Sequence, residues 1–180
     1  SSVETPEGII AIVKIKERLI DDVALNNNIT LVLDNIQDPG NLGTIIRLCD
    51  WFGVKNIICS QNTVDCYNPK VINSSKGSIF RINVFYTDIS IYLQNCDNKN
   101  VEIFGMITNG DNIYKTKLHN KNAIYVLGNE SNGISENIKK YIKHKIGIPK
   151  YKTSQTESLN VAISTSIMFS EIRRYELQNL

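Results

Sequence analysis

The sequence predicts a three-layer α/β domain in which a mostly parallel sheet lies between helices. Short apolar runs alternate with amphipathic segments along nearly the whole chain, as expected when each strand is followed by a crossover helix. The length of 180 residues suits one domain with a sizeable core, and no internal repeat interrupts the alternation. The apolar runs predict strands at 29–33, 56–59, 82–86, 101–107, 123–127 and 145–149.

The segments between these strands carry residues that typically begin and end helices. Asn41 is a candidate N-cap for a helix that runs to Phe52, with Gly53 as its stop signal. Pro69 is placed to open a second helix that ends near Gly77. Further helices are predicted after Asp88, from Ser135 and over 158–177.

The last predicted helix, 158–177, is apolar over most of its circumference, which is typical of a helix buried on several sides. Its own sheet covers one side, and a second subunit is the predicted cover for the other. A central helix within one subunit is the alternative. Ser158 is a candidate N-cap, whereas Asn160 is a poor helix former whose place in the first turn indicates a specific hydrogen-bond role.

Composition and charge narrow the class of protein. The hydrophobic content is 42%, and no apolar run is long enough to cross a bilayer, so no membrane partner is predicted. The net charge is +2, from 20 Lys and Arg against 18 Asp and Glu. Between Glu136 and Glu157, however, six lysines occur without an acidic residue, which is enough local charge to neutralise phosphates. A solvated helix face is the alternative explanation of these lysines.

The cysteines predict no metal site. They form no C-x-x-C pair, and the chain has only two histidines, so the spacing does not suit zinc. Cys49 and Cys59 lie within apolar segments, and buried thiols in a reducing, cytoplasmic compartment are therefore expected. The other two cysteines are Cys66 and Cys96.

Residues 1–15 are predicted to be a linker followed by an edge strand, and residues 16–180 form the predicted domain. The polar stretch TPEG precedes the apolar run Ile9–Val13. Because the first residue is Ser1 rather than Met, a larger protein cut at a linker is the expectation.

Three polar, glycine-bearing segments follow or touch strand ends, where open parallel sheets bind ligands. DNIQDPGNLGTIIR, 34–47, offers backbone N–H groups at a helix start for an anion, and Arg47 adds a planar charged fork. VLGNESNG, 126–133, places the carboxylate of Glu130 at a strand mouth. IGIPKYKTSQTESLNVA, 146–162, joins a short strand to the last helix. An ordinary turn with a helix cap is the alternative for each segment taken alone.

In this order the three segments resemble the SpoU/TrmH family of RNA 2′-O-methyltransferases, within the SPOUT superfamily. The matching stretches are N-x-x-D-P-G-N-L-G-T-I-I-R, L-G-N-E-x-x-G-I, and I-P followed by E-S-L-N-V-A, and the resemblance covers roughly residues 8–175. It implies a SPOUT-type α/β knot, in which the sheet carries a deep C-terminal trefoil knot. It also implies a homodimer packed partly through the final helix and a small RNA-binding domain before residue 16.

The same resemblance implies a reaction and a cofactor. S-adenosyl-L-methionine is the methyl donor, and the acceptor is a ribose 2′-hydroxyl of a structured RNA, either rRNA or tRNA. The catalytic positions implied are Asn35, Arg47, Glu130, Ser158 and Asn160. The cofactor contacts implied are Met106, Thr108, Leu127, Gly128, Asn129, Gly133, Ile148, Pro149 and Leu159.

The resemblance implies a base role for Arg47, but a guanidinium stays protonated in proteins. Arg47 is therefore predicted to grip an adjacent phosphate and to stabilise the developing alkoxide. Asn35 and Asn160 are expected to orient Arg47 and the ribose, and Glu130 to position Arg47 or its neighbours. The predicted RNA contacts are Asn41, Arg47, Lys150 and Lys152.

One segment departs from the family pattern, and two other classes of protein compete with the enzyme. The loop 150–157 bears lysines where the family has a short glycine-containing turn. A non-catalytic RNA-binding scaffold of the same fold is the main alternative, and the intact Arg47 and S-L-N argue against it. A nicotinamide dehydrogenase would need a glycine fingerprint after the first strand, which D-P-G-N-L-G does not provide.

Overall fold

One six-stranded sheet organises the part of the chain that the computed structural model describes, residues 12–15, 20, 28–99, 101–119 and 121–178. The strand order is β3-β2-β1-β5-β4-β6, and each neighbouring pair is parallel. The strands are β1 Ile29–Asp34, β2 Asn56–Ser60, β3 Asn83–Thr87, β4 Glu102–Asn112, β5 Ala123–Gly128 and β6 His144–Gly147.

Helices cover both faces of this sheet. The side chains of Leu31 and Leu33 pack on one face with α1, α2 and α5, whereas Val32 packs on the other face with α3 and α4. The prediction of a mostly parallel sheet between helices is therefore confirmed. The helices are α1 Pro39–Trp51, α2 Pro69–Ser75, α3 Ile89–Asp97, α4 Glu136–Lys139 and α5 Val161–Gln178.

The strand predictions succeed because both faces of the central strands are covered. Every residue of β1 is buried, so the strand reads as a continuous apolar run rather than an alternating one. The strand with the largest difference is β4, which was predicted to end at residue 107 and extends to Asn112. After a register shift, Asp111 and Asn112 pair with Ile146 and Gly147 of β6, and this long-range pairing has no local sequence signal.

Helix α1 begins three residues earlier than predicted. Its N-cap is Asp38, whose Oδ1 accepts the backbone N–H of Asn41 at 2.7 Å, so the prediction that Asn41 is the cap is wrong. Pro39 explains the difference, because it lacks an N–H and presets the helical φ at the first position. The prediction that Gly53 stops the helix is confirmed, because α1 ends at Trp51 and Gly53 has a φ of +72°.

Helix α5 begins later than predicted, at Val161, so the prediction that Ser158 caps it is wrong. The Oδ1 atom of Asn160 instead accepts the backbone N–H groups of Ala162 at 2.9 Å and Ile163 at 3.2 Å. Asn160 therefore caps the helix from outside it. Capping was the alternative given for this segment, so these two bonds alone do not establish the specific role expected for Asn160.

The buried face of α5 packs against the sheet and α1. Met168, Phe169 and Ile172 are fully buried, and the guanidinium of Arg173 donates to the carbonyl oxygen of Phe52 at the end of α1. Ile163 remains 53% exposed, so part of the apolar circumference has no cover within the described chain.

The four cysteines are free and buried, as predicted. Burial raises the pKa of the Cys66 thiol to about 11 and raises the pKa values of Cys49 and Cys59 further, so these thiols are unreactive. Within the described residues, no group of three or more His, Cys, Asp or Glu side chains is arranged to hold a metal ion. No helix in that part of the chain is long and apolar enough to cross a membrane.

Residues 12–15 belong to no strand, and the rest of the predicted linker and edge strand, 1–11, lies outside the described residues. The division of the chain at residue 16 stays a prediction.

Candidate active site

A cavity of about 300 Å³ opens where β5 and β6 end, beside the middle of β4. Its wall comes from three stretches that are far apart in sequence: 106–108, 127–133 and 148–164. Nine of the lining residues are the predicted cofactor contacts, Met106, Thr108, Leu127, Gly128, Asn129, Gly133, Ile148, Pro149 and Leu159. The structure therefore brings this whole predicted set together.

The chemistry of the wall suits a ligand with an apolar body and polar or cationic groups. Met106, Ile107 and Leu127 supply apolar surface, while Glu130 and Glu157 supply carboxylates. Of the predicted catalytic and RNA-contacting residues, Glu130, Ser158 and Lys150 also line the cavity. The lining residues that sequence reasoning missed are Ile107, Tyr151, Ser154, Thr156, Glu157, Val161 and Ser164; most of them lie in the loop 150–157, which matches no family motif.

The turn after β5 forms one wall of the cavity and is held by its own hydrogen bonds. The carbonyl oxygen of Asn129 accepts the N–H of Gly133 at 2.8 Å, and its Oδ1 accepts the N–H groups of Ser131 and Asn132 at 2.9 and 3.1 Å. Gly133 has a φ of +67°, which explains why a glycine closes this turn. A Cβ on Gly128 would lie only 2.1 Å from the carbonyl carbon of Gly133.

We expect Gly128→Ala to destabilise the protein by roughly 1–3 kcal/mol, because the added methyl group meets backbone that cannot move without opening the turn. Urea denaturation followed by circular dichroism measures the change. Gly40→Ala is the matched control, since the nearest atom to its added Cβ, at 3.0 Å, is the end of the Asp38 side chain. Equal stability of Gly128→Ala and the wild type would contradict the close packing of this turn.

Three side chains, one from each motif, form a hydrogen-bonded network beside the cavity. The Nδ2 of Asn41 donates to Glu130 Oε1 at 2.7 Å, and Asn41 Oδ1 accepts from Asn160 Nδ2 at 2.9 Å. These bonds join residues 89 and 119 positions apart in sequence. Asn41 is therefore the centre of this network, and its side-chain amide is engaged on both of its polar atoms. Glu130 bonds to Asn41 and not to Arg47 in the described residues, and its expected role in positioning Arg47 or its neighbours stays a prediction.

Asn35 lies elsewhere in the site than predicted. It has a φ of +61°, its N–H donates to Ser60 Oγ at 2.9 Å, and its carbonyl oxygen accepts from Asn129 Nδ2 at 2.9 Å. The structure places no hydrogen bond between Asn35 and either Arg47 or Asn160, so the expected orienting contact is not formed. Its Oδ1 is buried and has no hydrogen-bond partner in the described chain, which is rare for a buried oxygen and is typical of functional sites.

The first two motifs are joined by a second contact. The buried carboxylate of Asp34, at the end of β1, accepts both the N–H and the hydroxyl of Ser135 at 2.8 and 2.6 Å. This pair fixes the chain after the glycine turn against β1. Asp34 was not predicted as a site residue, although a carboxylate at the end of a buried strand is a recognisable signal.

Arg47 and Lys152 lie outside the cavity wall. Arg47 is exposed on α1 and has no hydrogen-bond or ion-pair partner among the residues described. Lys150 and Lys152 are exposed on the loop that follows β6. These three cations are thus free to meet a ligand that approaches from solvent, whereas Asn41, the fourth predicted RNA contact, is held in the network.

A parallel α/β sheet with a ligand cavity at its strand ends defines a broad class of proteins, and comparison with known proteins narrows it. Residues 28–170 match the model of the SpoU rRNA Methylase family. The match covers most of the chain, and the protein belongs to this family. The resemblance inferred from the three motifs is confirmed.

The chain covers only about two thirds of the length of its named relatives. It is 29% identical over 170 residues to the 23S rRNA (guanosine(2553)-2′-O)-methyltransferase RlmP of Bacillus subtilis, covering 94% of this chain and 66% of the relative. It is 34% identical over 184 aligned positions to the 23S rRNA (guanosine-2′-O-)-methyltransferase RlmB of Blochmanniella floridana, covering 96% of this chain and 71% of the relative.

Solved structures share the fold. A putative RNA methyltransferase of the TrmH family from Porphyromonas gingivalis is 36% identical with a TM-score of 0.79, over 83% of this chain and 60% of the other. An AdoMet-bound rRNA methyltransferase from Sinorhizobium meliloti is 28% identical with a TM-score of 0.76, over 83% of this chain and 57% of the other.

Proposed function

We propose that the protein transfers a methyl group from S-adenosyl-L-methionine to a ribose 2′-hydroxyl of a structured RNA, either rRNA or tRNA. The observation that carries this proposal is one cavity walled by the second and third family motifs, with the first motif joined to both beside it through the Asn41–Glu130–Asn160 network. The named relatives act on 23S rRNA, which favours rRNA as the first substrate to test.

The residues of the cavity fit this cofactor. Its volume of about 300 Å³ lies at the lower end of the range for cavities that hold small ligands, ~300–1,000 Å³. Apolar side chains such as Leu127 and Ile148 suit the adenine ring, and the carboxylates of Glu130 and Glu157 suit a ligand that carries positive charges. No atom lies within 4 Å of the position of a Cβ on Gly133, so the backbone there is open to a ligand. When bound, S-adenosyl-L-methionine supplies an activated methyl group on a good leaving group.

The side chains around the cavity have separate roles in binding the RNA and in stabilising the charge that develops during methyl transfer. Arg47 binds the phosphate next to the target ribose and stabilises negative charge that develops on its O2′ atom. The Asn41 amide holds the start of α1 against Glu130 and Asn160, and this orients the helix that carries Arg47. Because side chains on a helix tilt toward its N-terminus, Arg47 reaches back toward the strand ends. The proton of the hydroxyl leaves to phosphate or water.

The C-terminal trefoil knot is part of the proposal. Three observations support it: the loop 148–160 passes the ends of two strands to reach the cavity, β4 pairs with β6 on both sides of a register shift, and Gly147 packs on the backbone of Ile107 and Gly110. A segment that passes through an earlier loop must run close to the backbone of that loop, and these contacts meet this requirement.

A homodimer packed partly through α5, in the cytoplasm, completes the proposal. Trp51 of α1 is 84% exposed and Ile163 of α5 is 53% exposed, and these two helices pack on each other. A second copy of the chain is the proposed cover for this apolar surface. The buried free thiols are in keeping with a reducing compartment.

Calorimetric titration with S-adenosyl-L-methionine tests the cofactor site. We expect one saturable binding event per chain, and we expect Leu159→Lys to abolish it, because a cation then enters a cavity proposed to hold a cationic ligand. Leu177→Lys is the matched control, since Leu177 lies at the far end of α5, 73% exposed and away from the cavity. No binding by the wild type would favour the non-catalytic scaffold.

Transfer of a labelled methyl group tests the reaction itself. The protein is incubated with the labelled cofactor and unmodified 23S rRNA or tRNA transcripts, and the RNA is then hydrolysed with alkali. A 2′-O-methyl group blocks attack of O2′ on the adjacent phosphate, so the label is expected in alkali-resistant dinucleotides. Label in mononucleotides would contradict ribose methylation.

A further inference from the structure

The loop 150–157 carries an exposed aromatic side chain at the rim of the cavity. Tyr151 lines the cavity and nevertheless keeps 80% of its surface exposed. In residues 28–99, 101–119 and 121–178, neither its ring nor its hydroxyl has a partner. An aromatic ring that is exposed to solvent at the mouth of a site can stack on a second planar ring.

The charge around Tyr151 identifies the kind of ring. Lys150 and Lys152 flank it, both are exposed, and neither has an ion-pair partner in the described chain. The carbonyl oxygen of Tyr151 accepts the N–H of Ser154 at 2.9 Å, which closes a turn with Lys152 near its tip. An aromatic ring between two cations matches a base between two phosphates. S-adenosyl-L-methionine has no phosphate, and its single carboxylate is outweighed by two positive charges, so a pair of lysines complements RNA better than this ligand.

We propose that Tyr151 stacks on an unpaired base of the substrate RNA at the methylated ribose, while Lys150 and Lys152 contact the flanking phosphates. This inference rests on the proposed function. An unpaired nucleotide can turn out of its own base stack and bring its O2′ to the cavity, and the ring of Tyr151 then replaces the lost stacking partner. Because every base has a flat face, the contact selects unpaired RNA rather than one base.

The binding of unmodified 23S rRNA and tRNA transcripts, measured by filter retention, tests this proposal. We expect Tyr151→Ala to weaken binding of the tighter transcript about tenfold, and Tyr151→Phe to leave it unchanged. Affinity for a fully paired RNA duplex is expected to change in neither variant. Phe80→Ala is the matched control, because Phe80 is an exposed aromatic residue just before β3, the opposite edge strand.

Salt dependence separates stacking from charge. Lys150→Ala and Lys152→Ala are each expected to reduce the slope of log affinity against log salt by about one, because each lysine displaces counterions from a phosphate. Tyr151→Ala is expected to keep the wild-type slope. Calorimetry should show that Tyr151→Ala loses less affinity for S-adenosyl-L-methionine than for RNA, because the ring lies at the rim of the cavity with 80% of its surface exposed.

The outcomes are distinct. If Tyr151→Ala binds RNA as the wild type or the Phe80→Ala control does, or if it loses cofactor affinity by the same factor as RNA affinity, the stacking contact is overturned. Methyl transfer by the wild type would in that case leave the proposed function intact. If the wild type transfers no methyl group while its RNA affinity still depends on Tyr151, the proposed function fails and the stacking contact stands. No RNA binding by the wild type would overturn both.

Discussion

Arg47→Lys is expected to lower kcat for methyl transfer on the order of 100-fold or more, the range found when one donor to a developing oxyanion is removed. Lysine keeps the charge but loses the planar fork that binds two phosphate oxygens. The affinity for S-adenosyl-L-methionine should not change, because Arg47 is not part of the cavity wall. Stability should not change either, because the side chain is exposed and makes no hydrogen bond in the described structure.

Single-turnover transfer with saturating cofactor measures this loss, and urea denaturation verifies that the fold is intact. Arg81→Lys is the matched control. Arg81 is also exposed, but it pairs with Asp50 at the last turn of α1, where its hydrogen bond and its charge lower the pKa of that carboxyl. The control is expected to keep full activity. Full turnover by Arg47→Lys would show that the fork has no role in the reaction.

The sheet was predictable from the sequence because its signals are local. Parallel strands covered on both faces are continuous apolar runs, and the residues that begin α2 and α3, Pro69 and Asp88, do so by their own chemistry. The end of β4 was not predictable, since Asp111 pairs with a strand 35 residues later in the chain. Helix starts were ambiguous where several polar residues compete, as Asp38 and Asn41 do before α1.

The residues that form the site could be predicted from the sequence, but the hydrogen bonds between them could not. Motif positions were enough to collect seven of the nine lining residues, because these follow or touch the ends of β5 and β6 or the start of α5. Met106 and Thr108 were expected at a strand end and instead lie in the middle of β4. The pairing of Asn41 with Glu130 and Asn160 depends on how three distant segments fold over one another, and no local pattern carries that information. For Asn35, a local signal of its conformation was present, because an asparagine directly after a buried strand tolerates a positive φ. In that conformation its backbone N–H and carbonyl oxygen form hydrogen bonds with Ser60 and Asn129.

The Asn41 network leads to the second large prediction, that Asn41→Asp lowers kcat about 10- to 100-fold near pH 8. The substitution replaces the Nδ2 donor by an oxygen that faces Glu130 Oε1 at about the present 2.7 Å. Two carboxylates then oppose each other, and the loss of ~1–3 kcal/mol from an unmade hydrogen bond converts to that range of rates. Asn160 keeps its bond to the remaining oxygen, so helix α5 stays capped.

The sign of the pH dependence makes this prediction specific. Repulsion raises the pKa of the carboxylate pair, so the pair takes up a proton as the pH falls and regains a donor in the network. The activity of Asn41→Asp relative to the wild type should therefore rise as the pH is lowered. The same pair destabilises the folded protein only when both groups are charged, so the loss of stability appears as the pH rises and is absent below the unfolded pKa of about 4.

The double substitution Asn41→Asp with Glu130→Gln is the decisive control. It exchanges the positions of amide and carboxylate, so the hydrogen bond re-forms with its direction reversed and the repulsion disappears. With saturating cofactor, activity should recover well above that of Asn41→Asp alone and lose its unusual pH dependence. Glu130→Gln alone still accepts from Asn41, so it measures the loss of the carboxylate charge without loss of the hydrogen bond. If the double variant is no more active than Asn41→Asp, the network does not act through this bond, and Asn41 must contact the RNA directly.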